Sequence, residues 1–454
     1  MIAAEIAAIV FLCILLPSYV PVAAVFAGFW IISLIAAVTV YYKGNSPEIN
    51  CSVILMIIAV PLAGAIVYLC SALRTKKRVL KITGTQPKSG EENVIKALCG
   101  TGGAGYDKAV YLKSGNEYFN LLFKEIAQAS HYVYLEYFIV RRGKTFDRLL
   151  SAIRSAKRNG AEIKFLIDGI GSAFKLGRRE KKLLKSAGAE VRIFHSLRPL
   201  FYTGLNNRDH RKITVIDGGI AFTGGFNIGD EYANIDSPFG YWKDTGVAIY
   251  GAAAKIFEGM FLSVWNKDGE TQIEDSGEHR CIPYCDTPPA ASGVLENIYM
   301  TAISAAKERV HIFTPYFCAG EKINAALSLA AMRGVDVRII IPHIPDKKYA
   351  FELSRASAAE LIDSGIKFYE YTPGFMHAKS MVCDDKVYIG TYNLDFRSLR
   401  LNYECGVIFD GEICRLAERD FWDSMRLSMP FLPEKVKPMR AVYRFFLRLF
   451  APLF

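Results

Sequence analysis

Two segments of the chain carry the same reactive residue types at the same spacing: a His-x-Lys pair with an aspartate five positions after the lysine. These residues are His210, Lys212 and Asp217 in the first segment, and His377, Lys379 and Asp384 in the second. A Gly-x-x-Asn tetrapeptide follows each segment and ends at Asn227 and at Asn393. The interval from aspartate to asparagine is ten positions in the first segment and nine in the second, which indicates a one-residue deletion in the turn at residues 385–389.

Both segments run into β-rich sequence and are predicted to form strands. Side chains two positions apart on a strand share a face. His210 and Lys212 are therefore expected to point the same way, as are His377 and Lys379, so that each histidine acts together with its lysine. The two aspartates have the opposite parity, which favours a structural position behind the strand.

This set of residue types suits phosphoryl chemistry. A histidine can be a nucleophile or a proton donor, and a lysine supplies a fixed positive charge. Two such pairs facing one cleft would surround a phosphodiester with cationic donors, and the asparagines would add neutral donors for its non-bridging oxygens. Developing phosphoryl charge can be stabilised in this way without a metal. One histidine would attack phosphorus while the other protonates the leaving oxygen, which divides one displacement into two easier ones.

The elements that must position these residues also occur twice. Residues 156–168 resemble residues 330–342, and Leu135–Phe138 matches Thr314–Phe317. Apolar β-rich runs alternate with amphipathic helical stretches through this region, which predicts an α/β fold. A lone His-x-Lys would mean little, but two matched copies in two repeated units favour a shared active site.

The sequence divides into five predicted parts. They are a membrane anchor over residues 1–73, a first α/β unit over 74–265, a linker rich in Glu, Gly, Pro and Ser over 266–290, a second α/β unit over 291–430, and a basic apolar tail over 431–454. In the tail, Arg444 and Arg448 share a helix face. The tail therefore either lies on an anionic membrane or packs as a terminal helix, and both interpretations are open.

Hydrophobic residues make up 51% of the 454 residues and the mean hydropathy is +0.18, which favours membrane segments. A first apolar block from Ile2 to Tyr41 is interrupted by Pro17, and a second, Ser52–Leu73, has the length of one span. Whether the first block crosses once or twice is open. Five basic residues at positions 74–81 then place the rest of the chain in the cytoplasm by the positive-inside rule. A cleaved signal peptide is disfavoured, because no basic residue precedes the first block.

The net charge of +10 suits an anionic partner, either nucleic acid or an acidic membrane surface. Among the ten cysteines only Cys281 and Cys285 lie close together, and two ligands do not make a zinc site. Reduced cysteines in a cytoplasmic domain are expected. No metal ion and no cofactor are expected.

The paired elements resemble the HxKxxxxD motifs of the phospholipase D superfamily. Within it, residues 206–232 and 375–398 closely resemble bacterial cardiolipin synthases, and the resemblance covers essentially the whole chain. It implies two pseudo-symmetric phospholipase D-like α/β units forming one body, preceded by N-terminal transmembrane helices. It further implies a multi-pass protein of the cell membrane with its catalytic domain in the cytoplasm.

The resemblance implies a ping-pong reaction in which one phosphatidylglycerol gives its phosphatidyl group to a histidine, releases glycerol, and a second phosphatidylglycerol then attacks. His210 would be the nucleophile and His377 the general acid and base, although the reverse assignment is open because the halves are pseudo-symmetric. The phosphate would be held by Lys212, Lys379, Asn227 and Asn393. Asp244 and Glu404 match the family's acids that orient the histidines. Phosphatidylglycerol and anionic membrane lipid are the expected partners, nucleic acid is not, and a homo-oligomer is left open.

Three other functions compete with this interpretation. A phospholipase D that uses water as acceptor is the main alternative, because water and a lipid hydroxyl use the same machinery. A nuclease of the superfamily is disfavoured by the apolar anchor and tail, since nucleic acid requires no bilayer. A non-catalytic membrane scaffold is disfavoured by the intact motifs in both halves.

Overall fold

The computed structural model describes residues 22–42, 47–59, 81–83, 91–99, 103–173, 175–195, 207–266, 270–272, 279–287, 293–433, 443, 444 and 447. Contacts group the chain into two units. The described part of the first is chiefly two helices, α1 (Val22–Tyr42) and α2 (Pro47–Ala59), and the second lies within residues 77–197 and 207–436.

The first unit holds part of the predicted anchor. Helices α1 and α2 pack through Val40, Val53 and Ile57, which are buried. In the part of the chain that the structure describes, no helix combines the length and the apolar character needed to cross a membrane. Much of residues 1–73 lies outside the described residues, so the anchor stays a prediction. Most of the tail predicted over residues 431–454 also lies outside them.

The second unit contains strands and helices in alternation. Its strands, in chain order, are β1 Lys81–Thr83, β2 Ala104–Tyr106, β3 Lys108–Leu112, β4 Tyr132–Tyr137, β5 Glu162–Asp168, β6 Ala189–Phe194, β7 Ile213–Ile216, β8 Ile220–Gly224, β9 Gly246–Tyr250, β10 Glu270–Gln272, β11 His279–Asp286, β12 Arg309–Phe313, β13 Phe317–Cys318, β14 Asp336–Pro342, β15 Lys367–Tyr371, β16 Ser380–Cys383, β17 Lys386–Gly390, β18 Leu394–Asp395, β19 Glu404–Phe409 and β20 Ser428–Pro430. Its helices are α3 Glu91–Cys99, α4 Gly115–Gln128, α5 Lys144–Arg158, α6 Arg178–Ser186, α7 Ala254–Trp265, α8 Val294–Ala305, α9 Glu321–Met332, α10 Lys348–Leu361, α11 Phe396–Arg400 and α12 Gly411–Arg426, with a 3-10 turn at Ile362–Ser364.

Two large mixed sheets repeat one topology. The first has the strand order β3-β9-β8-β7-β4-β5-β6 and the second β2-β11-β19-β17-β16-β12-β14-β15-β20. In each, three neighbouring strands are parallel, β4-β5-β6 in the first and β12-β14-β15 in the second. The ladders from β4 through β7 and β8 to β9 are antiparallel, and so are those from β12 through β16 and β17 to β19. The prediction of two copies of one α/β unit is confirmed.

Local patterns explain why these elements form. Helix α5 buries Leu149, Leu150, Ile153 and Ala156, the face that its helical periodicity predicts. Strands β5 and β14 are short runs whose last four residues are buried, as expected for parallel strands that are covered on both faces.

The boundaries between the two halves differ from the predicted ones. Strand β11 (His279–Asp286) lies within the predicted linker, where it pairs with β19 and with β2. Its buried Cys281 and Tyr284 supply apolar positions that the linker-like composition around it concealed. Helix α3, which precedes the first half in sequence, also contributes Ile95 and Cys99 to the core of the second half.

A core shared by both halves lies between the two sheets. It combines Val215 and Phe257 of the first half with Ile389 and Val407 of the second, and all four are fully buried. Helix α7 of the first half packs on this core through Met260 and Phe261. Because apolar burial of this kind is non-directional and large in sum, it holds the two halves together as one body.

The two motif aspartates brace the sheets at equivalent turns. The carboxylate of Asp217 accepts the backbone N–H groups of Ser130, His131 and Tyr132 at 2.8–2.9 Å. Asp384 accepts those of residues 307–309 at 2.9–3.1 Å. Both aspartates have a positive φ, of 49° and 51°, in the left-handed region that Asp tolerates. The one-residue deletion falls in this turn, which has three residues between β7 and β8 but two between β16 and β17.

Removal of either carboxylate should destabilise the fold, because it leaves three N–H groups without their acceptor. We expect Asp384→Ala to lower the free energy of unfolding by about 1–3 kcal/mol, measured by thermal or denaturant unfolding of the purified chain. Asp385→Ala is the matched control, since Asp385 is the exposed neighbour in the same turn. Equal stability of the two variants would contradict the bracing function.

Candidate active site

The two His-x-Lys segments lie immediately before strands β7 and β16, whereas the sequence predicted them on the strands. Each segment is held instead by backbone hydrogen bonds to the opposite half. The N–H of His210 donates to the carbonyl of Tyr403 (3.0 Å), and the N–H of Tyr403 donates to that of Arg208 (2.8 Å). A strand prediction from local pattern could not anticipate this, because the partners lie in the other half.

The second segment repeats this arrangement about the pseudo-two-fold axis. The N–H of His377 donates to the carbonyl of Lys243 (2.7 Å), and the N–H of Lys243 donates to that of Phe375 (3.0 Å). The Lys243 side chain is anchored by a buried ion pair with Asp420 at 2.7 Å. The backbone of each histidine is therefore held in position by hydrogen bonds to the other half.

Each histidine is oriented by a carboxylate from the other half. His210 Nδ1 lies 2.9 and 3.0 Å from the two carboxylate oxygens of Glu404. His377 Nδ1 lies 2.5 Å from Asp244 Oδ2. Both carboxylates are fully buried. A carboxyl group in its ionised form only accepts hydrogen bonds, and in that form it holds the proton of its imidazole on Nδ1 and leaves a lone pair on Nε2.

Sequence reasoning selected these two acids but missed this exchange. Asp244 follows the first motif in the sequence and Glu404 follows the second. This order does not show whether each acid binds the histidine of its own half or the histidine of the other half. The exchange follows from the folding of both sheets against one shared core.

The two lysines are buried beside their histidines. Lys212 Nζ donates to the carbonyl of His210 and Lys379 Nζ to that of His377, both at 2.5 Å. Lys379 Nζ also lies 3.0 Å from His377 Nδ1. Burial lowers the pKa of Lys212 to about 8 and that of Lys379 to about 7. Two buried ammonium groups with weakened charge are suited to an anionic ligand, which would restore their pKa values.

Burial also sets the protonation of the histidines. It lowers the pKa of His210 well below the usual range, and the charges of Lys212 and Lys379 lower it further. Burial, followed by the charge of Lys379, lowers the pKa of His377 to about 3. Both imidazoles are therefore neutral at neutral pH, the form in which Nε2 is nucleophilic.

The two orienting carboxyls differ in charge. Burial raises the pKa of Glu404 to about 7, and the opposing charge of Lys212 and a hydrogen bond from Thr391 only partly offset it. Burial also acts to raise the pKa of Asp244, but its interaction and hydrogen bond with His377 and the charge of Lys379 outweigh burial, and its pKa is lowered.

The motif asparagines are partly engaged by the protein. Asn227 Oδ1 accepts the N–H of Ile139 (2.9 Å), and its Nδ2 donates to the Tyr232 hydroxyl (3.0 Å). Asn393 Nδ2 donates to Asp395 (3.0 Å), and its Oδ1 has no partner among the described residues. Since an amide nitrogen has two hydrogens, each asparagine keeps one N–H for a ligand.

Aromatic rings that the sequence analysis did not select enclose both histidines. The ring of Phe138 lies 4.9 Å from that of His210, measured between centroids. Trp242 lies 4.8 Å and Tyr232 5.5 Å from His377. For Trp242 the available signal was its position two residues before Asp244, and for Phe138 it was the repeat of Leu135–Phe138 at Thr314–Phe317.

The remaining predicted residues lie elsewhere. Asp217 and Asp384 bind backbone N–H groups in the turns that follow β7 and β16, and their hydrogen bonds do not include the two motif histidines. Cys281 and Cys285 are free thiols on strand β11. Within the described residues, no group of three or more His, Cys, Asp or Glu side chains could hold a metal ion.

Comparison with known proteins agrees with this geometry. A family model described as "Cardiolipin synthase, PLD-like domain" (PLD, phospholipase D) matches residues 122–265 and 299–425. An uncharacterized protein of Streptococcus mutans is 39% identical over 71% of this chain and 72% of its own length. A protein named cardiolipin synthase from Geobacillus sp. (strain WCH70) is 36% identical over 70% of this chain and 66% of its own. One named cardiolipin synthase 2 from Bacillus anthracis is 35% identical over 70% and 64%.

The solved structures that match are more distant and support the fold alone. A phosphatidylserine synthase of Haemophilus influenzae superposes with a TM-score of 0.61 at 14% identity, over 80% of this chain and 99% of that one. A polyphosphate kinase of Porphyromonas gingivalis gives a TM-score of 0.51 at 13% identity, over 75% and 52%. The matched region spans about two thirds of the named relatives' length, from 64% to 66% in the two above.

Removal of charge from an orienting carboxyl should disable the histidine of the other half. We expect Glu404→Gln and Asp244→Asn each to lower kcat by about a hundredfold or more, because an amide does not enforce the Nδ1–H tautomer. Glu412→Gln, on the exposed first turn of α12, is the control.

Site-resolved modification by diethyl pyrocarbonate, read by peptide mass spectrometry, tests the exchange directly. Glu404→Gln should change the reactivity of His210 and leave that of His377 as in the parent protein. The opposite pattern would show pairing within each half.

The lowered lysine pKa values predict an alkaline decline in kcat/KM. A lysine is positive below its pKa, so the attraction for an anionic phosphodiester is complete at acidic pH and is lost as pH rises through about 7 for Lys379 and about 8 for Lys212. Lys379→Arg should move the decline to higher pH, because arginine keeps its charge. A pH–rate profile that is flat through the alkaline range, or identical in the two proteins, would contradict this.

Proposed function

The chain belongs to the cardiolipin synthase family of phospholipase D-like proteins, and on that premise we propose that it transfers a phosphatidyl group from one phosphatidylglycerol to another. The products are cardiolipin and glycerol. The observation that carries the proposal is the pair of neutral, buried histidines, each oriented by a carboxylate of the other half, beside two buried lysines.

In the first half-reaction, His210 Nε2 attacks phosphorus of the donor lipid and forms an N–P bond, while the bond to the glycerol oxygen breaks. His377 donates a proton to that oxygen and glycerol leaves. Although burial lowers the pKa of His377 to about 3, a bound phosphodiester is negative, favours the protonated imidazole and raises this pKa. Asp244 accepts from Nδ1 and stabilises the cation.

In the second half-reaction, His377 removes a proton from a glycerol hydroxyl of the acceptor lipid. The hydroxyl oxygen attacks phosphorus, the N–P bond breaks, and its electron pair returns to His210. Lys212 and Lys379 stabilise the charge that develops on the phosphoryl oxygens in both steps. The exchange of the two histidines' functions gives the same balanced reaction, and the family resemblance assigns His210 as the nucleophile.

We also propose that the chain is anchored in the cell membrane with its catalytic body in the cytoplasm. The support is the sequence of residues 1–81, in which two apolar blocks precede five basic residues. An enzyme whose two substrates are both bilayer lipids must work at the membrane surface.

Mass spectrometry of lipid products tests the proposal. The full chain, in liposomes with phosphatidylglycerol as sole phospholipid and with EDTA present, should form cardiolipin and free glycerol in equal amounts. His210→Ala and His377→Ala should each form neither while still incorporating into the liposomes. Phosphatidic acid without cardiolipin would identify water as the acceptor and the protein as a phospholipase D hydrolase. Near-normal turnover in either histidine variant would refute the two-histidine mechanism.

A further inference from the structure

A second set of cations lies on loops that follow equivalent strands of the two halves, at the sheet edge where β7 and β16 begin and where both histidines lie. This edge is here called the mouth of the site. Lys175 follows β5, and Lys347 follows β14. Arg141 follows the neighbouring strand β4. The carboxyl ends of parallel strands are the edge of an α/β sheet where ligands bind. Arg141, Lys175 and Lys347 are here called the cationic rim.

Lys347 is held in place by two partners. Its Nζ donates to the Tyr316 hydroxyl at 2.8 Å and to Asp346 Oδ2 at 3.0 Å, and it lies 4.8 Å above the Tyr316 ring. The Tyr316 ring is 6.3 Å from that of Phe375, which is 5.9 Å from that of His377. The ammonium group is therefore connected to the wall of the active site, and its side chain is still half exposed.

Arg141 is fixed from the first half. Its N–H donates to the carbonyl of Ile228 at 2.8 Å, next to Asn227, and its guanidinium lies 3.6 Å from Glu231. Tyr232, which follows Glu231 in the sequence, packs against His377. The Arg141 side chain is 48% exposed, so it can still reach a ligand at the mouth.

The three cations act on one another and on the site. Lys175 is exposed. Partial desolvation lowers the pKa of Lys175, and the charges of Lys347 and Arg141 lower it further, although Glu231 and Asp346 oppose this. The charge of Lys347 also contributes to the lowered pKa of His210. Three positive charges against two carboxylates leave an excess of positive charge that an anion at the mouth would relieve.

In the proposed reaction, such an anion is required only in the second half-reaction. When the acceptor arrives, one phosphoryl group is already on histidine between Lys212 and Lys379. The acceptor brings another phosphodiester, on the far side of its glycerol from the attacking hydroxyl. Water or a neutral alcohol brings none.

We infer that the cationic rim binds the phosphodiester of the acceptor lipid and so selects an anionic lipid alcohol over water as the attacking group. The inference rests on the proposed transferase function. It assigns the discrimination between transfer and hydrolysis to residues outside the two motifs.

The test compares two acceptors for the same phosphohistidine. Liposomes of phosphatidylglycerol are supplied with deuterated glycerol, which regenerates labelled phosphatidylglycerol, while the lipid acceptor gives cardiolipin. The ratio of the two products measures acceptor choice independently of the amount of folded enzyme. The variants are the double substitution Lys175→Gln/Lys347→Gln, the charge-retaining Lys175→Arg/Lys347→Arg, and Lys255→Gln on the exposed first turn of α7 as control.

We expect the ratio of cardiolipin to labelled phosphatidylglycerol to fall roughly tenfold in the glutamine pair, since two partly exposed ion pairs each contribute up to about fivefold. The arginine pair should restore it, and the control should match the parent. A ratio that stays at the parent value in the glutamine pair overturns the inference.

Two further results separate the alternatives. Inorganic phosphate added to the parent protein should leave the ratio unchanged; a decline as large as that in the glutamine pair assigns the rim to soluble phosphate instead. A parent protein that exchanges glycerol but makes no cardiolipin overturns the proposed function, and the acceptor site with it.

Discussion

The exchange of orienting carboxylates between halves is the constraint on which the rest of the structure depends. Neither half alone holds a histidine with its acid, because His210 depends on Glu404 and His377 on Asp244. Hydrogen bonds tolerate errors of only a few tenths of an ångström, so the halves must be fixed to that precision. The shared apolar core and the reciprocal backbone hydrogen bonds at Tyr403 and Lys243 provide this fixation.

The same geometry explains how the site holds so many buried ionisable groups. A buried charge is costly unless it is paired, and removal of one partner costs more than the pair contributes. Charged residues around the site are paired with opposite charges, as in Arg208 with Asp168 and Lys243 with Asp420. Lys212 and Lys379, beside the histidines, have lowered pKa values because burial disfavours their charge. A bound phosphodiester would compensate this positive charge. Stability and function therefore depend on one arrangement of charge.

The sequence predicted what is local and repeated. Spacing alone identified both His-x-Lys segments. Strand parity predicted Asp217 and Asp384 behind the strands, whereas they lie in the turns that follow β7 and β16. The sequence could not place Glu404 beside His210, because 194 positions separate them and no periodicity links the two halves. The sequence also concealed strand β11, whose flanks have the composition of a linker. It predicted that β7 includes the His210–Lys212 segment, which instead is bound to the other half through the N–H of His210 and the carbonyl of Tyr403. Each miss concerns a contact between distant parts of the chain, where local propensity carries no information.

The proposed reaction gives the two histidines different functions, and one pair of equivalent positions beside their carboxyls differs between the halves. Thr391 donates to Glu404, whereas the equivalent position is Gly225, where an added Cβ would lie 1.9 Å from an Asp244 oxygen. The closer, ionised Asp244 stabilises an imidazolium at His377 more strongly than Glu404, whose pKa burial raises to about 7, does at His210. A proton carrier benefits from that stabilisation, and a nucleophile benefits from remaining neutral. The asymmetry of the carboxyls is consistent with the functions proposed above, in which His377 is acid and base and His210 is the nucleophile.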